Sequence, residues 1–254
     1  MNPNESENYT YLEDYTKSFC SVWDELIDWE KRYIAENGRI SNILKEKNCS
    51  KILDVATGTG FHSLNLIREG FDVVSIDGSI NMLEIAKKNA DLMGLTLDSQ
   101  KHDWRFIPEI YFNRFDAIIC LGNSFTHLNN ENERRIALEN FYATLKPGGF
   151  LLLDHRNYEK IKNQISTKNE TGNVYCGSSF KIKPAIIDEK IATFEYKYQD
   201  KETFLLHMYT LYYENINNLL LETGFKENTM QSLHNKNLSP PNDEIDFILH
   251  IAQK

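Results

Sequence analysis

The sequence predicts an α/β fold: an open, mostly parallel sheet with helices on both faces, and a small antiparallel β lid inserted late in the chain. Three observations predict it. Between residues 51 and 154, short apolar runs alternate with stretches of helical length, the pattern of β-α-β units with right-handed crossovers. The first apolar run passes straight into a glycine loop, Asp54-Val-Ala-Thr-Gly-Thr-Gly60. After about residue 158, strand-like runs follow one another through short polar turns with no helix between them, which reads as an antiparallel unit.

Each element has its own signal. Residues 1–10 are polar and acidic without periodicity, and disorder is expected there. From residue 11 to about 34, Phe19, Val22, Trp23, Leu26, Ile27 and Tyr33 recur at helical spacing. A shorter helix follows Gly38 through Ile40, Ile43 and Leu44. Strands are predicted over 51–56 and 72–76, with a helix over 60–69 between them. Ser79 is a natural N-cap for a helix over 79–93. A weaker strand over 95–101, a buried-type strand over 115–121, a helix over 131–145 and a strand over 150–154 follow. Lys146-Pro147-Gly148-Gly149 punctuates the last two. The late strands are predicted over 173–183, 185–198 and 203–209, then a helix over 212–222 with Gly224 as its C-cap. A final strand over 246–252 can return to the sheet, and 232–243, with Pro240-Pro241, reads as loop.

These elements divide the chain into four parts. An N-terminal helical segment caps the sheet or covers the site (1–46). A Rossmann-like nucleoside-binding core follows (47–158), then an antiparallel lid and substrate region (159–209). A C-terminal helix and strands (210–254) complete the core.

With 254 residues and 41% hydrophobic content, the chain can bury a sizeable core. A net charge of −9 argues against tracking a nucleic-acid backbone, which needs clustered Lys and Arg. No apolar run approaches the ~20 residues of a membrane span. The acidic N-terminus is not read as a signal peptide. Cys20, Cys49, Cys120 and Cys176 are scattered, with no C-x-x-C pair and no zinc-finger spacing. Reduced thiols, no metal and a cytoplasmic location are expected.

The residues that carry chemistry cluster at strand ends. Gly58 and Gly60 let a ligand approach bare backbone, and the helix opening at Gly60 offers free amides and a positive dipole end. That suits a carboxylate such as the methionine tail of S-adenosylmethionine. A plain strand-to-helix turn looks the same. Glycine loops also hold nicotinamide dinucleotides, but the third glycine of that fingerprint is missing. Asp77 ends the second strand, where a carboxylate accepts ribose hydroxyls. Asp103 and Trp104 follow the third strand and fit an adenine pocket, or equally a surface acid beside a buried indole. Asn123 brings a donor and an acceptor to the end of the fourth strand. His127 either hydrogen-bonds the cofactor or simply sits in a loop. Arg156 ends the fifth strand and offers a rigid fork for a carboxylate, or pairs with a helix acid on the surface.

Three segments, Ile52-Leu-Asp-Val-Ala-Thr-Gly-Thr-Gly60, Cys120-Leu-Gly-Asn-Ser-Phe-Thr-His-Leu128 and Asp154-His-Arg-Asn-Tyr158, resemble the glycine N-methyltransferases and their glycine/sarcosine N-methyltransferase relatives. Trp23-Asp-Glu-Leu-Ile-Asp-Trp29 and Tyr175-Cys-Gly resemble the microbial glycine/sarcosine enzymes more than the animal ones. The resemblance implies a class I S-adenosylmethionine-dependent methyltransferase sheet of seven strands, one antiparallel, with an antiparallel lid. It implies that Arg156, Asn123 and Tyr15 form the catalytic group. Ala56, Gly58, Asp77, Asp103, Trp104 and Leu121 would line the cofactor pocket. His127 and Arg32 would lie near the methionine end, with Tyr15 and Trp23 in the covering segment. Tyr175 and Tyr209 would join Asn123 and Arg156 around the substrate. Where Ala56-Thr57 stands, the family often has Cys or Gly.

The implied reaction is methylation of glycine to sarcosine and of sarcosine to N,N-dimethylglycine, early steps of glycine betaine synthesis, leaving S-adenosyl-L-homocysteine. The donor is already activated, so positioning is the main tool and no strong general base is expected. A monomer or weak homo-oligomer acting on a small amino acid is expected. A methyltransferase for another small amine, a nicotinamide-dependent oxidoreductase and a non-catalytic binding module are the competing readings.

Overall fold

The structure, a computed structural model, describes residues 11–166, 177–188 and 190–254. The predicted disorder of residues 1–10 and the start of the first late strand, with Tyr175, lie outside the described residues.

The N-terminal helical pattern is cut into α1 (Lys17–Ser21), α2 (Trp23–Ile27) and α3 (Trp29–Glu36), where the sequence predicts one helix. Two caps cut it. Thr16 accepts the Phe19 N–H at the start of α1. Asp28 takes a left-handed φ of 45° that ends α2, and its carboxylate accepts the Lys31 N–H to open α3. Gly38, at φ 66°, precedes α4 (Arg39–Glu46).

The core then alternates as predicted: β1 (Lys51–Asp54), α5 (Phe61–Arg68), β2 (Asp72–Asp77), α6 (Ile80–Leu92), β3 (Asp98–Lys101), β4 (Phe115–Cys120) and α7 (Glu131–Thr144). β5 runs from Leu145 to Arg156 and absorbs Lys146-Pro-Gly-Gly as a register shift against β4. An unpredicted helix, α8 (Tyr158–Ser166), follows; its apolar signal is short, and Asn157 caps it by accepting the Lys160 N–H. The lid strands are β6 (Phe180–Ile187), β7 (Ile191–Tyr198) and β8 (Glu202–Tyr209). The predicted break near Pro184 is a strand position instead. β6 is the edge of the lid sheet, where a missing N–H costs no ladder bond. α9 (Tyr213–Glu222), β9 (Glu227–Ser232) and β10 (Phe247–Gln253) close the chain. β9 was not predicted. It reads Glu-Asn-Thr-Met-Gln-Ser because it is the outer edge of the sheet and needs no apolar alternation.

Among the described residues, seven strands form the main sheet in the order β3-β2-β1-β4-β5-β10-β9. β10 runs antiparallel to both neighbours and the other pairings are parallel. That matches the sheet implied by the resemblance. Both faces are covered. Ile52, Leu152 and Leu249 pack with Ile40, Leu44 and Leu66 on one side. Leu53, Leu153 and Ala252 pack with Leu138, Phe141 and Ile216 on the other. The lid builds a third core, where Phe204, Leu206 and Met208 pack on Phe19, Leu26 and Tyr158. Strand order reverses at β1, between β2 and β4, so the fold opens its ligand crevice at the carboxyl ends of β1 and β4.

No helix among the described residues is long and apolar enough to cross a membrane. Among them, no group of three or more His, Cys, Asp or Glu could hold a metal ion. Cys20, Cys49 and Cys120 are free and buried.

Candidate active site

The glycine loop is tied down on both sides. The Thr57 N–H donates to the Ile76 carbonyl, binding the loop to β2. Gly60 has φ 99°, and a Cβ there would stand 3.1 Å from Leu64 Cδ1. Gly58 has φ 55°, and nothing lies within 4 Å of where its Cβ would be. Gly60 is therefore a packing glycine, while Gly58 turns its bare backbone to open space.

Asp77 braces that loop. Its Oδ2 accepts the Gly58 N–H at 2.8 Å and its Oδ1 accepts the Ser79 N–H at 2.8 Å. Burial pushes its carboxyl up to about 6, against the pull of those N–H groups. Each oxygen retains a lone pair, since a carboxylate offers about four acceptor sites. Trp104 donates its indole N–H to the Val55 carbonyl and stacks near Phe125. Ala56, Gly58, Asp77, Met82, Trp104 and Leu121 help to enclose a cavity.

A second cavity lies beside it, toward the lid. Tyr15, Trp23, Ile27, Arg32, Gly122 and His127 line both. The two cavities therefore meet at a wall supplied largely by the N-terminal helices. Arg32 is aimed from behind. Its Nε donates to Glu36 Oε1 at 2.7 Å, and Glu36 Oε2 lies 3.0 Å from His62 Nε2. Burial opposes ionisation of Glu36, but His62 and then Arg32 outweigh it and hold the carboxyl down at about 2. The Tyr15 hydroxyl meets His127 Nε2 at 3.0 Å. Burial pushes His127 down to about 4 and Tyr15 well above its ordinary value, so the pair is a phenol and a neutral imidazole at neutral pH.

Arg156 and Asn123 belong to the second cavity. Asn123 sits at φ 63° in the turn after β4. Its N–H donates to Asp154 Oδ1 at 2.6 Å, its Oδ1 accepts the Arg156 N–H at 2.9 Å, and its Nδ2 donates to the Tyr158 hydroxyl at 2.9 Å. Asn123 thus locks the ends of β4 and β5 together. The Arg156 guanidinium lies over two rings, 5.4 Å from the Phe194 centroid and 5.1 Å from that of Phe247. No carboxylate of the described residues pairs with it.

Most sequence-predicted residues meet at these two cavities; two of the described ones do not. Asp103 is off the wall. It caps the turn that carries Trp104 by accepting the Arg105 N–H, and pairs with the Arg105 guanidinium at 2.6 Å. Tyr209 lines a separate open groove beside Arg134 on α7. Tyr175 lies outside the described residues. Sequence reasoning missed Tyr196, Met208 and Phe247, which line the second cavity. Aromatic and Met residues in alternating lid strands were the available signal, but alternation alone does not say which sheet face meets a ligand. Tyr158 and Glu36 were missed as well, because each acts through a neighbour.

A methyltransferase domain model matches residues 52–149. The glycine/sarcosine N-methyltransferase of Parasynechococcus marenigrum is 43% identical over 96% of this chain and 86% of its own length. That of Aphanothece halophytica is 41% identical over 96% of this chain and 91% of its own. The crystal structure of an S-adenosylmethionine-dependent methyltransferase from Clostridium acetobutylicum superposes with a TM-score of 0.71. It covers 93% of this chain and 97% of that one at 20% identity, a likeness of fold. With that identity sustained across nearly its whole length, the chain belongs to the glycine/sarcosine N-methyltransferase family.

Proposed function

We propose that this protein methylates the nitrogen of glycine, and then of sarcosine, with S-adenosylmethionine as donor. The observation that carries the reading is Arg156: a guanidinium over two aromatic rings in a cavity, with no carboxylate of the described residues forming an ion pair with it. The planar fork suits a carboxylate.

The first cavity fits the donor. The space beside Gly58 would be filled by any Cβ, and the Asp77 carboxylate beneath it has lone pairs left for ribose hydroxyls. Trp104, Met82 and Leu121 give apolar walls for a base. Asp103 acts there only through the turn it caps. Arg32, Trp23 and His127 would hold the methionine end, where the two cavities meet, with Ala56 on the wall of the first. When bound, S-adenosylmethionine supplies an electrophilic methyl group on a sulfonium.

The residues of the chain then do three things. Arg156 grips the substrate carboxylate, which fixes where its amine can lie. Asn123 fixes the turn beside it and the Arg156 backbone. The lid and N-terminal helices exclude water, which disfavours the ammonium form and exposes the nitrogen lone pair. Tyr15, as a phenol, orients the amine rather than taking its proton. Holding the reactants in line carries the rate.

In this reading the enzyme works in the cytoplasm on free amino acids, as a monomer or weak homo-oligomer, without nucleic acid or membrane. Its products enter glycine betaine synthesis. Incubation with S-adenosylmethionine and glycine, sarcosine or dimethylglycine, followed by mass spectrometry, tests it. Sarcosine and dimethylglycine are expected as products from the first two substrates, with dimethylglycine left unchanged. No methylation of glycine or sarcosine would overturn the proposal.

A further inference from the structure

Both backbone groups of Arg156 are held by side chains. Its N–H donates to Asn123 Oδ1, and its carbonyl oxygen lies 2.8 Å from His155 Nδ1. The first contact belongs to the substrate cavity. The second leads to the other face of the sheet, into side chains the reaction does not touch. His155 Nε2 lies 3.1 Å from His250 Nε2, and His250 Nδ1 lies 2.9 Å from Asn228 Nδ2. Asn228 Nδ2 also donates to Asn217 Oδ1 on α9 at 3.0 Å.

Strand register builds this chain. His155 pairs with Ile248 while His250 pairs with Leu153, so the histidines are diagonal neighbours across β5 and β10. His250 pairs with Met230 while Asn228 pairs with Ala252, which repeats the offset across β10 and β9. The two rings stack with centroids 5.2 Å apart, and both residues are fully buried.

One proton arrangement satisfies every contact. A carbonyl oxygen only accepts, so His155 Nδ1 carries the hydrogen. In a neutral ring its Nε2 then accepts, and His250 Nε2 must donate to it. His250 Nδ1 accepts in turn, and Asn228 must present its NH₂. Donation therefore runs one way, from Asn228 through His250 and His155 to the Arg156 carbonyl. Burial pushes His155 down to about 4 and holds His250 well below its ordinary value, with the facing ring adding to the latter. Both rings stay neutral near pH 7, and the amides of Asn228 and Asn217 complete the chain. Two buried imidazoles are costly unless their hydrogen bonds are used.

We infer that His155 is a positioning residue: backed by His250 and Asn228, it fixes the peptide plane of Arg156 and so the aim of the guanidinium at the substrate carboxylate. The inference rests on the reading of Arg156 as the carboxylate clamp. His155→Leu removes the donor to the Arg156 carbonyl. His155→Asn places an amide N–H where the imidazole Nδ1–H stands.

Two readouts decide it. One is the Arg156 Nε–H resonance in ¹H–¹⁵N spectra of the free protein, assigned by its loss in Arg156→Lys. The other is KM for glycine alongside the affinity for S-adenosylhomocysteine. The wild type is expected to give one sharp Arg156 signal. His155→Leu is expected to broaden it and raise KM about tenfold, the equivalent of one lost hydrogen bond, with product affinity unchanged. His155→Asn is expected to restore both. An unchanged Arg156 signal in His155→Leu, or no recovery in His155→Asn, overturns the inference. If His155→Leu does not fold, the wild-type ring nitrogens decide: hydrogens on His155 Nδ1 and His250 Nε2 are required, and the opposite tautomers refute the chain. Absence of glycine methylation by the wild type would defeat the functional reading alone, since the Arg156 signal reports on positioning without turnover.

Discussion

Replacing Arg156 by Lys tests the carboxylate clamp. The fork can give a carboxylate two parallel charge-assisted hydrogen bonds, where an ammonium gives one well-directed bond. Losing one such bond costs about 1.5–3 kcal/mol. The guanidinium also lies over Phe194 and Phe247, and part of that contact, ~0.5–1 kcal/mol, goes with it. The sum, about 2–4 kcal/mol, is a 30- to 1000-fold fall in kcat/KM for glycine at ~1.4 kcal/mol per tenfold. The assay is initial-rate kinetics at saturating S-adenosylmethionine, with S-adenosylhomocysteine affinity measured by calorimetry. Product affinity should hold, because Arg156 lines only the second cavity. Methylamine, which lacks a carboxylate, should be methylated equally poorly by both forms. A variant within threefold of the wild type on glycine would refute the clamp, as would an equal loss on methylamine.

Three further outcomes are expected. In the proposed reading Asp77 accepts ribose hydroxyls as an anion, and burial pushes its carboxyl up to about 6. S-adenosylhomocysteine affinity should therefore be near full about one pH unit above 6 and fall up to about tenfold per pH unit below 6; calorimetry on Asp77→Asn should show weak, pH-flat binding. Gly58→Ala puts a methyl into open space at a left-handed φ, costing about 1–2 kcal/mol of backbone strain, whereas Gly60→Ala adds a 3.1 Å clash with Leu64. Thermal melts should show the Gly60 variant lowered more, and calorimetry should show the Gly58 variant, though folded, binding S-adenosylhomocysteine less well. Glu36→Gln leaves Arg32 buried without its carboxylate, which should cost about 3–5 kcal/mol in urea unfolding; a loss under 1 kcal/mol would show that Arg32 is not held by this pair.

The core of the fold was legible because its strands are buried on both faces and its helices carry one apolar stripe. Runs such as Phe115–Cys120 admit few readings. Elements at the margins were not. β9 is polar because it is an edge, and the N-terminal helical pattern is broken at Val22 and again at Asp28, a left-handed turn that periodicity cannot see. In the site, residues at strand ends were legible because topology sends them to the crevice: Gly58, Asp77, Asn123 and Arg156 all lie at carboxyl ends of strands. Tyr209 shows where this stops. It lies one residue beyond Met208, and the period of two puts Met208 in the cavity and Tyr209 outside it. Asp103 was drawn to Arg105, an ion pair that only the folded turn creates.

The central claim is that two joined cavities hold a nucleoside donor and an amino-acid carboxylate. A crystal structure with S-adenosylhomocysteine and sarcosine tests it most directly. The account predicts ribose hydroxyls on Asp77, and the sarcosine carboxylate on the Arg156 guanidinium with its nitrogen facing the product sulfur. Sarcosine bound elsewhere, or bound with its carboxylate away from Arg156, would contradict it.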